Sequence, residues 1–431
     1  MDCWLKAAKR AAGRAAYAEA FAQIDSGMEL LEAEPDSRER TRMVAKLQLQ
    51  RAFAFSATRG MGSPEAGKAF AETQALCDRL GEATPESFYA LNGVCSFHIV
   101  RGEIEPALEG ARESLRLAQI IGDTACIAAA HRIVGSAYLW RGLPREAAHH
   151  FEEALRLYDP LRDGDSPLAV DSDTKAIRLS FLATATALLG YPERALALHD
   201  EVLRDVDRQG LPHNTAHALN MLGLTYRILR DDERGIQCEK RLSALAEKYG
   251  FPAWRAATKA RLGRYLIGRG QIDDGIALLE GAVAESETSG TRLCLCATRS
   301  VLAHALARAG RWQEATSQYD EALASIEATG EGIFEPMVRQ RYGEFLLARD
   351  GAAGAGAAEA CITKAFELAR AQGARWWELR AAVSLARLMH SQGRAREAHE
   401  LLAPIYGWFT EGFDRPDLKE ARVLLDELGP L

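Results

Sequence analysis

The sequence predicts an all-α protein, a right-handed α-solenoid of about ten helical hairpins ended by a C-terminal capping helix. Three observations carry this prediction. A small residue recurs about every 40 positions along the chain. Glycines suited to left-handed helix ends keep the same beat. Alanine, Leu, Glu and Arg dominate, with only 14 prolines in 431 residues, a composition that favours helix.

The clearest unit is 131-HRIVGSAYLWRGLPREAAHHFEEALRLYDP-160. Gly135 and Tyr138 belong to a first helix, Gly142 and Pro144 to a turn, and Ala147, Phe151 and Ala154 to one face of a second helix. Gly135 and Ala147 lack bulk, so the paired helices can approach at the short end of about 8–10 Å. A large side chain at Ala147 would overpack that contact at a cost of about 1–3 kcal/mol. The arrangement resembles the tetratricopeptide repeat.

The Ala147 position recurs at Ala20, Ala66, Ala107, Ala195, Gly235, Gly275, Ala315, Ala358 and Ala398, in steps of 46, 41, 40, 48, 40, 40, 40, 43 and 40. Gly210, Gly250, Gly290 and Gly330 are the matching helix ends, 40 apart. The period is thus about 40, longer than the 34 of the standard unit. The stretch 416-PDLKEARVLLDELG-429 reads as the cap that a solenoid end requires.

Two steps are longer than the rest. The first holds 57-ATRGMGSPEAG-67, expected as a lengthened turn, and the second 159-DPLRDGDSPLAVDSD-173, expected as a loop. The loop either interrupts one solenoid spanning 1–431 or divides 1–158 from 174–431, and it is a candidate to touch ligand. An Ala/Gly-rich run, 350-DGAAGAGAAEA-360, reads as a linker within a hairpin.

Composition narrows the function. Hydrophobic residues make up 48% and charged residues 26%, enough for a core and too apolar for wholesale disorder. The net charge is −7, with both signs interleaved, so no basic face for nucleic acid is expected. Lys6, Lys9, Arg10 and Arg14 cluster at the start, but their helix continues in phase into the repeats and reads as the first of them, not a transit peptide. No membrane span, secretory signal or CxxC is found. The eight scattered cysteines read as thiols in a reducing cytoplasm.

Catalytic patterns are weak. Gly62, Gly67 and Lys68 have Walker A spacing, but Ala69 offers no hydroxyl to magnesium and Pro64 should start a helix through the motif. His213 and His217 lack the intervening glutamate and third ligand of a zinc centre. No metal, cofactor or catalytic residue is expected, and an open solenoid would offer no enclosed cleft for chemistry.

The register places a binding face instead. The first helix of each hairpin should line the concave surface. One column there contains Ser96, Ser136, Thr184, Leu224, Arg264, His304, Glu344 and Arg387; the position one helical turn earlier gives Asn92, Arg132, Ser180, Asn220, Ala260, Ser300, Gln340 and Val383. Asn92, Ser96, Arg132, Ser136, Asn220, Arg264, His304, Gln340, Glu344 and Arg387 are the expected contacts for a peptide or protein partner. Trp376, Trp377 and 404-PIYGWF-409 read as core at the end of the stack.

The stretches 376-WWELRAAVSLARL-388 and 400-ELLAPIYGWFTEGFDRPDLKEARVLLDEL-428, with 4-WLKAAKRAAGRAAYAEAFAQIDSGMELLEAEPDSRER-40 and 189-LGYPERAL-196, resemble the C-terminal repeat region of bacterial signalling ATPases. In that family a class III adenylate/guanylate cyclase or winged-helix domain and an ATPase module precede the repeats. No cyclase aspartates, true Walker A or winged helix is found in this sequence. The resemblance therefore implies a sensor or scaffold half in the cytoplasm, whose effector is either a domain encoded ahead of it or a separately encoded cyclase or ATPase. The alternative expectation is a regulatory solenoid that senses a small molecule.

Overall fold

The computed structural model describes residues 2–159 and 174–429, so residues 160–173 of the expected loop lie outside the described residues. Among the described residues every regular element is helical. Ten hairpins follow one another: α1 (Asp2–Gly13) with α2 (Tyr17–Glu32), α3 (Arg38–Arg59) with α4 (Pro64–Leu80), α5 (Pro85–Val100) with α6 (Ile104–Ile121), α7 (Thr124–Arg141) with α8 (Pro144–Arg156), and α9 (Lys175–Leu188) with α10 (Pro192–Gln209). The second half repeats the plan with α11 (Pro212–Ile228) and α12 (Asp232–Tyr249), α13 (Pro252–Gly268) and α14 (Ile272–Ser289), α15 (Leu295–Arg308) and α16 (Trp312–Thr329), α17 (Glu335–Asp350) and α18 (Ala355–Ala371), and α19 (Arg375–Ser391) and α20 (Ala395–Tyr406). Helix α21 (Pro416–Leu428) caps the stack, and the whole is a right-handed tetratricopeptide-like solenoid.

Local chemistry sets the helix ends. Ser63 and Asp123 accept hydrogen bonds from the backbone N–H groups of Ala66 and Cys126, and Thr84 and Ser87 form a reciprocal capping box. Gly210, Gly250, Gly290 and Gly330 end their helices at φ of 63°, 69°, 69° and 73°, the left-handed geometry that favours glycine. The small recurring residue is buried in every hairpin. A Cβ on Gly135 would lie 2.8 Å from the Phe151 ring, and one on Gly343 would lie 2.9 Å from the Ala358 carbonyl oxygen, so bulk at these crossings would part the helices.

Both irregular segments differ from expectation. The extra residues near 57–67 extend α3 through Arg59 and leave a four-residue turn, because 57-ATR-59 is compatible with helix and Gly60 stops it at φ 98°. In the 350–360 run only Gly351–Gly354 forms a 3-10 turn, and the alanine-rich remainder already belongs to α18.

The solenoid closes on itself, which corrects the expectation of an open groove. The carbonyl ending the first helix of a hairpin is a helix-end acceptor with no partner in its own helix, and three such carbonyls are met by the next coil. Val100 O accepts from the N–H of Arg292 and Leu293 at 3.0 and 3.1 Å, and Trp140 O from Gly332 and Ile333 at 2.9 and 3.3 Å. Ile228 O accepts from Trp376 Nε1 at 3.1 Å and Arg380 Nη2 at 2.5 Å. The three acceptors occupy one register position. Between the last two, the α9–α10 turn is held by Glu411, whose carboxylate accepts from the N–H of Glu193 and Arg194 at 2.9 and 3.1 Å. Trp376 and Trp377 are buried near the end of the stack; Trp376 bridges coils through Ile228 O, while Trp377 Nε1 donates to Ile333 O of the neighbouring hairpin at 2.8 Å.

Candidate functional site

Coil closure turns the concave face into the wall of a channel. The first helices of the hairpins present their inner faces to it, and two cavities lie along it. The first, of about 240 Å³, is lined mainly by α5, α7, α11 and α13 and by the 291–294 junction. Its walls are largely apolar and aromatic, with Trp140, Phe181, Phe251 and Trp254, and the same Val100–Leu293 contact that joins the coils closes one side. The second, of about 280 Å³, is lined by α11, α13, α15, α17, α19 and α21 and carries most of the charge. Arg227, near the end of α11, belongs to both walls.

Nine of the ten expected contact residues reach these cavities. Ser96, Arg132, Ser136 and Asn220 line the first. Arg264, His304, Gln340, Glu344 and Arg387 line the second. Asn92 lies in neither wall; it is buried, with its Oδ1 3.4 Å from Arg132 Nη2 of the next hairpin. Several column residues thus bond along the stack. Arg261 Nη2 donates to Asn220 Oδ1 at 2.9 Å, Gln340 Nε2 to Ser384 Oγ at 2.9 Å, and Ser384 Oγ to Glu344 Oε1 at 2.6 Å. Thr184 and Thr225 pair hydroxyls at 2.8 Å. These bonds fix the register of neighbouring hairpins and hold the channel walls rigid.

Behind the wall, Glu239 of α12 is fully buried, and Arg261 Nε of α13 donates to its Oε1 at 2.5 Å. Burial pushes the Glu239 carboxyl up, and the guanidinium opposes that shift. Glu331, in the junction after α16, is also buried; both its oxygens lie 3.1 Å from the N–H of Cys294. Burial pushes Glu331 up to about 7, against the Cys294 N–H and the Arg227 charge. His304 faces the channel, where solvent still reaches it. Its enclosure there, with the guanidinium groups of Arg341 and Arg308, lowers its imidazole to about 4, so it is neutral at pH 7.

The sequence columns missed Arg227, Arg341 and Arg380. Arg341 directly follows Gln340, and Arg227 lies three residues beyond Leu224, so each is one small step from a named column. The available signal was an arginine inside an otherwise apolar first helix, as in 221-MLGLTYRIL-229.

The motifs set aside in the sequence have structural places. Gly67 and Lys68 lie within α4; a Cβ on Gly67 would sit 2.6 Å from the Phe97 ring, and Lys68 pairs with Glu72 at 3.7 Å. His213 and His217 lie in the aromatic wall of the first cavity, near Phe251, Phe181 and Trp254. Cys294 and Cys296 sit beside Glu331, and burial pushes both thiols up. Among the described residues, no group of three or more His, Cys, Asp or Glu is placed to hold a metal ion. None of their helices is long and apolar enough to cross a membrane.

No curated protein matches the sequence. Among solved structures, the chain is similar to a Rap protein complexed with competence and sporulation factor, at 11% identity and a TM-score of 0.46 over 99% of both chains. It is similar to a signal transduction ATPase with a tetratricopeptide repeat sensor from Pyrococcus horikoshii, at 14% identity and a TM-score of 0.46; the match covers 92% of this chain and 55% of that one. It is also similar to yeast Tom70, at 13% identity and a TM-score of 0.39, over 96% and 88% of the two chains. Likeness at this level concerns architecture alone. The tetratricopeptide repeat family model matches residues 295–329, which are α15, α16 and the turn between them.

Proposed function

We propose that this chain is a non-enzymatic binding scaffold that receives a peptide, or a peptide segment of a protein partner, in its superhelical channel. The observation that carries the reading is convergence. Two polar columns, read at a spacing of about 40 residues, line two neighbouring cavities that share Arg227. The first cavity, mostly apolar with a few fixed polar groups, has the usual form of a binding site. The eight cysteines, all unpaired, fit a reducing compartment, in keeping with a place in the cytoplasm. The sequence resemblance to signalling ATPases makes a separately encoded cyclase or ATPase the natural effector. A ligand that differs in affinity for two coil geometries would shift their balance and so pass a signal on.

The test fills the channel. Ala260 lines the first cavity and is half-buried, so Ala260→Trp places an indole where ligand would lie. Capture of the partner identified with the wild-type chain should be lost while far-UV circular dichroism is unchanged. Undiminished capture by the folded variant would remove the channel from the account.

One observation favours a second reading, a small-molecule sensor: the first cavity is enclosed by aromatic rings on several sides. Thermal-shift screening separates the two, since a ligand at 100 times its Kd adds about 2.7 kcal/mol of stability.

A further inference from the structure

We propose that the arginine-lined cavity of the channel is an anion-recognition site that holds a carboxylate of an acidic peptide segment. The inference deepens the peptide reading above and rests on it.

Some of its arginines are satisfied within the protein. Arg380 donates to both oxygens of Asp417 at 2.5 and 2.9 Å, and Arg230 donates to Glu420 at 2.6 Å. Three others have capacity to spare. Arg341 of α17 makes no hydrogen bond or ion pair among the described residues, although it lines the cavity. Arg227 lies over the Phe334 ring at 4.5 Å, no carboxylate is within ion-pair distance, and its Nη2 is sealed from solvent with no acceptor. Arg264 pairs outward with Asp232 at 2.5 Å, but its Nε is likewise sealed and unpartnered.

The carboxylates nearby do not answer these groups. Glu344 accepts from Gln340 Nε2 at 3.0 Å and Ser384 Oγ at 2.6 Å, with no arginine in ion-pair contact. Asp417 and Glu420 are engaged by Arg380 and Arg230. Glu331 acts on Arg227 from behind the wall and is itself mostly bonded to the Cys294 N–H. The unpaired guanidinium groups of Arg227 and Arg341 therefore repel one another, with the Asp232-paired Arg264 adding to the positive charge. Burial and the charges of Arg261, Arg264 and Arg341 together lower Arg227 to about 10, and burial lowers Arg341 as well, with Arg380 and Arg264 adding to the effect.

Unpaired, mutually repelling cations held on rigid helices inside a chain of net charge −7 form a local field for an anion. Guanidinium groups suit carboxylate because their planar fork matches its two oxygens. The rest of the wall selects the body that carries the charge. Val301, Met337, Trp377 and Val383 give the cavity an apolar side, and Arg227 also lines the neighbouring aromatic-walled cavity. A free phosphate would leave that surface unfilled, whereas an extended segment alternating acidic and apolar residues would use both.

The experiment is calorimetric titration of the full chain with synthetic hexapeptide pools, acetylated and amidated. One pool alternates Asp or Glu with Leu, Phe or Val. A second has Asn or Gln in place of the acids. A third is the second pool with a free C-terminal carboxylate, and inorganic phosphate is run alone. The acidic pool should bind about tenfold or more tightly than its amide counterpart, and added salt should weaken it. Arg341→Gln should remove most of that preference without lowering the thermal midpoint, since Arg341 has no partner to lose and its removal relieves repulsion; Arg264→Gln serves as the second variant. Tight binding of the third pool also supports a carboxylate site and identifies a chain end as its source. Equal binding of acidic and amide pools overturns the anion inference and leaves the peptide reading intact. Tighter binding of phosphate than of the acidic pool overturns the assignment to a peptide carboxylate. Absence of binding by every pool overturns both.

Discussion

Replacing Gly142 with alanine should open the coil where a matched substitution elsewhere leaves it shut. Gly142 has φ 86°, and a Cβ there would lie 2.8 Å from the Gly332 carbonyl carbon and 2.7 Å from Gln372 Nε2 on the next coil. Gly310 occupies the same turn four hairpins later, with φ 78° and nothing within 4 Å of its Cβ. Both variants carry the left-handed penalty of about 1–2 kcal/mol. Only Gly142→Ala carries more. If the coils stay together, overpacking costs about 1–3 kcal/mol. If they part, the hydrogen bonds from Gly332 and Ile333 to Trp140 O are lost, at about 1 kcal/mol each. The excess over Gly310→Ala is then about 1–3 kcal/mol, with about 2 kcal/mol if the coils part. Urea midpoints compare the two stabilities, and hydrogen exchange at the Gly332 and Ile333 amides reports the contact itself. Equal midpoints with equally protected amides would refute coil closure as described.

Other outcomes follow from the buried carboxylates. Glu331 is held at about 7 in the folded chain against an ordinary 4.5, so the folded state binds its proton more tightly. The contribution of Glu331 to stability is full below about pH 4.5, falls by about 3 kcal/mol as pH rises to 7, and then levels; Glu331→Gln should remove that component of the slope in pH-dependent urea melts. Glu239→Ala leaves Arg261 buried without its carboxylate, at a cost of about 3–5 kcal/mol by thermal or urea denaturation. A loss below 1 kcal/mol would mean that the pair is solvated.

The hairpins were legible because each is specified locally. Ala147, Phe151 and Gly135 encode one crossing within a 30-residue window, and Gly250 and Gly290 mark helix ends by a conformation other residues resist. The binding columns were legible for the same reason, since register carries a face from one repeat to the next. Coil closure was not. It depends on small rotations added over several hairpins, and its contacts join residues as distant as Ile228 and Trp376. The motif at Val100, Trp140 and Ile228 is a backbone carbonyl, which has no side-chain signature. The unpaired state of Arg341 was hidden too, because whether an arginine finds a carboxylate depends on the neighbouring helices and not on its own segment. The 57–67 run misled for a simpler reason: a glycine-rich string reads as a loop, yet the added residues were helix-compatible and lengthened α3.

The central claim is that ligand lies inside the channel and not on the outer helices. A photo-crosslinking amino acid at position 304, on the channel wall, and another at position 327, exposed on α16, test it directly. Irradiation with the captured partner should give a crosslinked product from position 304 alone. Crosslinking from position 327 with none from position 304 would place the ligand on the outer face and contradict the account.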